Sequence, residues 1–195
     1  MNLKFNVVGV VSGVITLGLA IVGGPWWMTV GGAGGEAFHA GISPFAFDIS
    51  IMGNPLDIPV IYWLNVAARI AFILAGLEIT VASILVKKAW SKSFISLRAL
   101  WTSLLFFISI YIGLAAVQRI LGISIPLHGE SLLTYTLPIQ SLSITAEVST
   151  QTYFTTTFEL ALVGGILAIV ARMIHGRLFP AEITPPTEAD GTPVS

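Results

Sequence analysis

"ARIAFILAGLEIT", Ala68–Thr80, decides how this chain is read. It lies inside an apolar run at residues 60–86 that stops at Lys87 and Lys88, yet it carries Arg69 and Glu78. A run of that length crosses a hydrocarbon core about 30 Å thick. A charge inside such a run is costly, so each one needs a place at the interface or a partner. Three further blocks of the same kind follow from the same reading. Spans are expected at residues 6–27, 60–86, 99–121 and 157–175, separated by outer loops at 28–59 and 122–156. Residues 1–178 then form a single four-span domain. The tail at 179–195, "FPAEITPPTEADGTPVS", is rich in proline and small polar residues and is expected to be a disordered cytoplasmic segment.

Composition agrees with the spans. Of 195 residues, 55% are hydrophobic and 10% charged, against about 25% charged in soluble domains. The net charge of −1 gives no basic surface for nucleic acid. Cysteine is absent, which excludes disulfides, thiolate metal sites, cysteine nucleophiles and thioether-linked haem. Lys4 before an apolar core also fits a signal peptide, but the core is too long and no small-x-small site precedes Pro25.

The basic residues orient the chain. With four alternating spans, Lys4, Lys87, Lys88, Lys92, Arg98, Arg172 and Arg177 fall on one side, and the two long loops on the other side hold no lysine or arginine. This positive-inside pattern predicts a multi-pass cell-membrane protein with both termini cytoplasmic.

The outer loops contain "FAFDISIMGNPLDIPVIY" (Phe45–Tyr62) and "LLTYTLPIQSLSITAEVSTQTYFTTT" (Leu132–Thr157). Both alternate apolar and polar residues and are rich in β-branched and aromatic types, which favours strands. A lone hairpin is marginal in water, so one small sheet built from both loops is expected, joining residues 47–51 to 142–148. The fold class is therefore mainly α: a four-helix transmembrane bundle carrying a small extracellular β-sheet. "PWW" at Pro25–Trp27, after the first span, reads as an interfacial stop with Trp26 and Trp27 at the headgroups. This layout, with tryptophans after the first helix and two long strand-rich loops, resembles the claudin and PMP22-like tetraspan proteins. The resemblance implies the same architecture. It carries over nothing else, because the family's Gly-Leu-Trp motif and cysteine pair are not in this chain.

Helix geometry assigns the embedded charges. Arg69 lies roughly 27 Å from Lys87, and Arg119 roughly 31 Å from Arg98, at 1.5 Å per residue. Both therefore reach the outer interface, and with Glu159 they are expected to form a polar layer beneath the sheet. Glu78 lies roughly 13 Å from Lys87, near the membrane centre. It is expected to face the other helices in a neutral, hydrogen-bonding form, near Ser12 or Ser109. Small residues at Gly9 and Gly13, at Ala67, Ala71 and Ala75, and at Ala161 with Gly165 predict close helix packing.

Catalytic chemistry is not legible. No nucleophile–base arrangement stands out, "GGAGG" lacks the lysine and helix of a phosphate loop, and no two histidines share a span. The expectation is no enzyme, no cofactor and no metal. His39 and His128, with Glu36, Asp48, Asp57 or Glu130, give the one metal alternative. Three functions remain. The first is a structural or accessory tetraspan protein that binds a membrane or envelope protein, or a second copy of itself, through the outer sheet. The second is a small transporter, channel or proton-coupled subunit using Glu78. The third is a membrane enzyme or redox subunit. The lipid bilayer is the partner common to all three.

Overall fold

The computed structural model describes residues 5–32, 35, 37–95, 97–122, 124–139 and 142–179. The tail expected to be disordered begins at Phe179, and its remainder, 180–195, lies outside the described residues. Four long helices carry the chain: α1 (Val7–Val22), α2 (Pro59–Ile84), α4 (Arg98–Leu121) and α5 (Thr156–Leu178), with a one-turn helix α3 (Ser91–Phe94) between α2 and α4. The local sequence sets their ends. Asn6 caps α1 by accepting from the Gly9 amide at 3.2 Å. Pro59 opens α2, where its missing N–H costs nothing. Gly122 closes α4 in the left-handed region, φ 70°.

Three helices are long and apolar enough to cross a membrane: α2, residues 100–120 of α4, and α5. The fourth expected span is shorter than its sequence suggested. The helix stops at Val22, because Gly23 (φ 67°), Gly24 and Pro25 break it, and Trp27 already starts a strand. The 16 residues of α1 cover roughly 24 Å.

The long helices run alternately up and down. α1 packs against both α2 and α5, and α4 against α5, whereas α2 and α4 touch lightly. The glycines explain the closest approach. A Cβ at Gly13 would overlap the Thr80 hydroxyl and come within 2.9 Å of the Gly76 carbonyl. One at Gly165 would stand 2.8 Å from the Leu100 Cα. Of the predicted small-residue row on α2, Ala75 is buried while Ala67 and Ala71 are exposed.

The two long loops build one antiparallel sheet, as their alternation predicts. Its strands are β1 (Trp27–Gly31), β2 (Phe38–Ile42), β3 (Phe47–Ile51), β4 (Asn54–Pro55), β5 (Gly129–Ile139) and β6 (Leu142–Phe154), in the order β4-β3-β2-β1-β6-β5. β1 is the seam. It pairs with β2 on one side and with residues 150–154 of β6 on the other, Trp27 opposite Phe154. One side of β1 is the more buried: Trp27, Thr29 and Gly31 are buried, while Met28 and Val30 are half-buried, and the Thr29 and Thr152 hydroxyls share a 3.0 Å hydrogen bond.

Candidate functional site

At the sheet end, the helices close on an aromatic cluster. Trp26, fully buried, meets Phe45 at 5.6 Å, Phe72 at 6.3 Å, Phe106 at 5.2 Å and Phe158 at 5.9 Å between ring centroids. These rings come from the β2–β3 turn, α2, α4 and α5. Trp27 is also buried, and its indole N–H donates to the Leu127 carbonyl at 3.0 Å. Both tryptophans, expected as interfacial anchors, are thus covered by protein. Four phenyl rings form an apolar site that an indole at the break of α1 fills. The exposed indoles are instead Trp63, Trp90 and Trp101.

Arg69, Arg119 and Glu159 do not form a layer. Arg69 donates to the Phe45 carbonyl at 3.3 Å, next to Gly23. Arg119 and Glu159 are exposed, and no ion pair joins the three among the described residues. Similar depth does not bring residues together: Arg69 turns to the backbone that the β2–β3 turn supplies.

Glu78 is also partnered differently. Its carboxylate accepts from the Arg98 guanidinium at 2.8 Å, across the gap between α2 and α4. Its side chain keeps 28% of its exposure and that of Arg98 keeps 57%. Ser12 donates instead to the Gly164 carbonyl at 2.8 Å, and Ser109 is exposed. Counting depth from Lys87 left out the length of Arg98, the first residue of α4, whose side chain reaches across to α2. Beside the ion pair lies a groove of about 590 Å³ lined by Leu77, Glu78, Val81, Trp90 and Phe94.

Three polar fastenings have little signal in the sequence. Asn6, 2% exposed, donates through its side chain to the Ala171 carbonyl at 2.8 Å and through its amide to the Ser83 carbonyl at 2.7 Å. Asn6 thereby ties α1 to α5 and α2 at one end. At the other end, the Thr155 hydroxyl donates to the Pro25 carbonyl at 2.6 Å and its amide to the Trp26 carbonyl at 3.0 Å. The third joins α3 to α5: buried Ser91 and His175 share a 2.8 Å hydrogen bond, Oγ to Nε2. Ser91 Oγ also lies 2.7 Å from the Lys88 carbonyl, so it is built into a turn rather than set in a cleft. Such bonds read from sequence only as a serine or asparagine near a helix end.

His39 stands 3.5 Å from Asp48 on adjacent strands. Among the described residues no group of three or more histidine, aspartate or glutamate side chains is placed to hold a metal. Comparison with known proteins finds no family model, curated protein or solved structure that matches the chain.

Proposed function

We propose that this chain is a non-enzymatic, four-span membrane protein, structural or accessory, that binds another membrane or envelope protein through its sheet. In this reading it lies in the cell membrane with both termini cytoplasmic and the sheet outside, the tetraspan architecture implied by the resemblance to claudin and PMP22-like proteins. Short as it is, α1 counts as a span because it is fastened to α5 at both of its ends, through Asn6 to Ala171, about two turns before Leu178, and through Pro25 and Trp26 to Thr155. It also lies against α2 and α5, so much of its surface rests on protein rather than lipid.

One observation carries the binding role. β6 pairs with β1 only over residues 150–154, while β5 and β6 go on pairing from Leu132↔Ser149 out to Ile139↔Leu142. The outer part is thus a two-stranded arm with no third strand among the described residues. Its register pairs Leu133, Tyr135, Leu137 and Ile139 with Val148, Ala146, Ile144 and Leu142, so every second paired position along the arm is apolar on both strands. The alternate pairs are Leu132 with Ser149, Thr134 with Glu147, Thr136 with Thr145 and Pro138 with Ser143, which are mostly polar. Two-stranded ribbons are marginal in water, and unpaired strand edges are templates for pairing. A partner that covers the apolar positions or adds a strand supplies what the chain lacks.

The conducting alternative fares less well. The aromatic cluster around Trp26 fills the space between the helices at the sheet end, and Glu78 is committed to Arg98. The test is site-specific photocrosslinking in native membranes. A crosslinker at Leu137 or Ile144 should yield a defined higher-mass adduct, and one at Thr136 or Thr145 a much weaker one. Adducts absent from both sets of positions, or equal at both, count against the reading.

A further inference from the structure

We infer that the pocket where the chain passes from β4 into α2 is a binding site for a primary ammonium group, of the kind carried by an ethanolamine headgroup or by a free alkylamine. The site is a different surface from the arm, and only the lipid source of its ligand rests on the membrane placement proposed above. The pocket holds about 280 Å³ and is lined by Asp57, Tyr62 and Asn65 among apolar side chains that include Phe47, Leu56 and Ile61. Asp57 and Tyr62 are exposed and Asn65 is half-buried. Among the described residues, none of these three polar side chains has a hydrogen-bond or ion partner. The ordinary role of an acid just before a helix is not taken up either: Ile58 is the N-cap of α2, and no side chain caps it.

The chemistry selects the ligand. Asp57 offers a carboxylate, Asn65 an amide oxygen and Tyr62 a hydroxyl, and a primary ammonium brings N–H donors and the opposite charge. The apolar walls fit the carbon stem that carries it. No cation of the chain takes this place. Residues 28–59 and 122–156 contain no lysine or arginine. Arg69, one turn beyond Asn65 on α2, is turned to the Phe45 carbonyl and Gly23. Asp48, the nearest other acid in the sequence, stands beside His39. An anionic ligand would be repelled by Asp57. Depth also fits a headgroup. Tyr62 lies roughly 33 Å along α2 from Ile84, just beyond a hydrocarbon core about 30 Å thick. Its ring meets that of Trp63 at 5.4 Å, and the two side chains are 63% and 67% exposed, the placement that suits an aromatic pair at a headgroup boundary.

The experiment is native mass spectrometry of the full chain, released from micelles that hold equal amounts of phosphatidylethanolamine and phosphatidylcholine. The two lipids have the same net charge and differ in their N–H donors, so a preference reads hydrogen bonding at the ammonium. The expected result is one bound phosphatidylethanolamine, retained several-fold over phosphatidylcholine. Asp57→Asn should abolish that preference; Asp57 is exposed and unpartnered, so the change removes no internal contact. Ile61→Trp, which fills the pocket and leaves the three polar groups in place, should abolish it too. Asp48→Asn, which removes an acid outside the pocket, should keep it. In a second arm, without added lipid, ethanolamine or choline is titrated as the free ion and the melting temperature is read. A rise with ethanolamine alone, lost in Asp57→Asn, supports the site and, where the lipid preference is missing, assigns it to free amines. Equal retention of the two lipids together with equal melting in the two ions overturns the site, as does a preference that survives Asp57→Asn. If neither lipid is retained, the membrane placement fails, and the ethanolamine arm alone decides the site.

Discussion

The ion pair between Glu78 and Arg98 is unequal in what each partner loses when the other is removed. Glu78 is the less exposed member, within the hydrophobic run of α2, while Arg98 begins α4 and is 57% exposed. An arginine left alone can extend its stem and place its charge at the interface, whereas a carboxylate left alone inside a span has no such reach. Arg98→Gln should therefore destabilise more than Glu78→Gln. The double variant should recover much of the difference, with a coupling of about 1–2 kcal/mol, within the range for neighbouring polar groups. Unfolding in detergent of the two single variants and the double variant measures this. A double variant as unstable as the sum of the singles shows that the pair does not couple. That Glu78 needed a partner was legible in the sequence, because a central acid in an apolar run has no water. Which partner was not legible: the turn at residues 85–97, with α3 inside it, decides where Arg98 lands, and no periodicity encodes that turn. Asn6 was equally hidden, as one polar residue at a span boundary whose bonds to the Ala171 and Ser83 carbonyls exist only once α1, α2 and α5 have met.

Among the helices, α1 and α2 make the most extensive contact, and its closeness is a property of particular glycines. Gly13→Val forces a side chain into Thr80 and the Gly76 backbone, where little can yield. Overpacking of this kind costs about 1–3 kcal/mol, so a clear loss of thermal stability is expected. Gly113, on the exposed side of α4, has nothing within 4 Å of the position a methyl would take. Gly113→Ala should be neutral or stabilising by up to about 1 kcal/mol, the helix propensity difference. If both variants behave alike, close approach is not what positions α1. The sheet offers a second test. Joining Leu133 to Val148, a paired position, through an Asn-Gly turn removes the arm but leaves every β1–β6 pair in place. Helix content and melting temperature in detergent should change little, while crosslinking to the partner is lost. A collapse of the fold on this deletion would make the arm part of the core. The strands themselves were legible, since alternation marks them and marginal hairpins must combine. The end of α1 was misjudged because proline and paired tryptophans beside an apolar block have the composition of an interface. Only the assembled cluster of Phe45, Phe72, Phe106 and Phe158 shows where Trp26 goes.

At the scale of the whole molecule, the sheet and the basic residues lie at opposite ends of the helices. The sheet joins the C-terminal ends of α1 and α4 to the N-terminal ends of α2 and α5, while Lys87, Lys88, Lys92, Arg98 and Arg177 cluster near the other ends. Transfer of a lysine- and arginine-rich end across a membrane is disfavoured, so the proposed placement has the sheet on the exported side. Asn54, in β4, and Glu130, at the start of β5, are exposed on the sheet side, and Ser93 is exposed on the basic side. With no native cysteine to interfere, single cysteines at these three positions report topology directly. In intact cells, a membrane-impermeant maleimide should label Asn54→Cys and Glu130→Cys at once, and Ser93→Cys only after lysis. Labelling of Ser93→Cys before lysis, with the other two protected, inverts the orientation and moves the arm and its partner to the cytoplasmic side. Labelling of Asn54→Cys but not Glu130→Cys breaks the molecule more deeply. It would place the halves of one hydrogen-bonded sheet on opposite sides of the bilayer, which the pairing of Trp27 with Phe154 forbids.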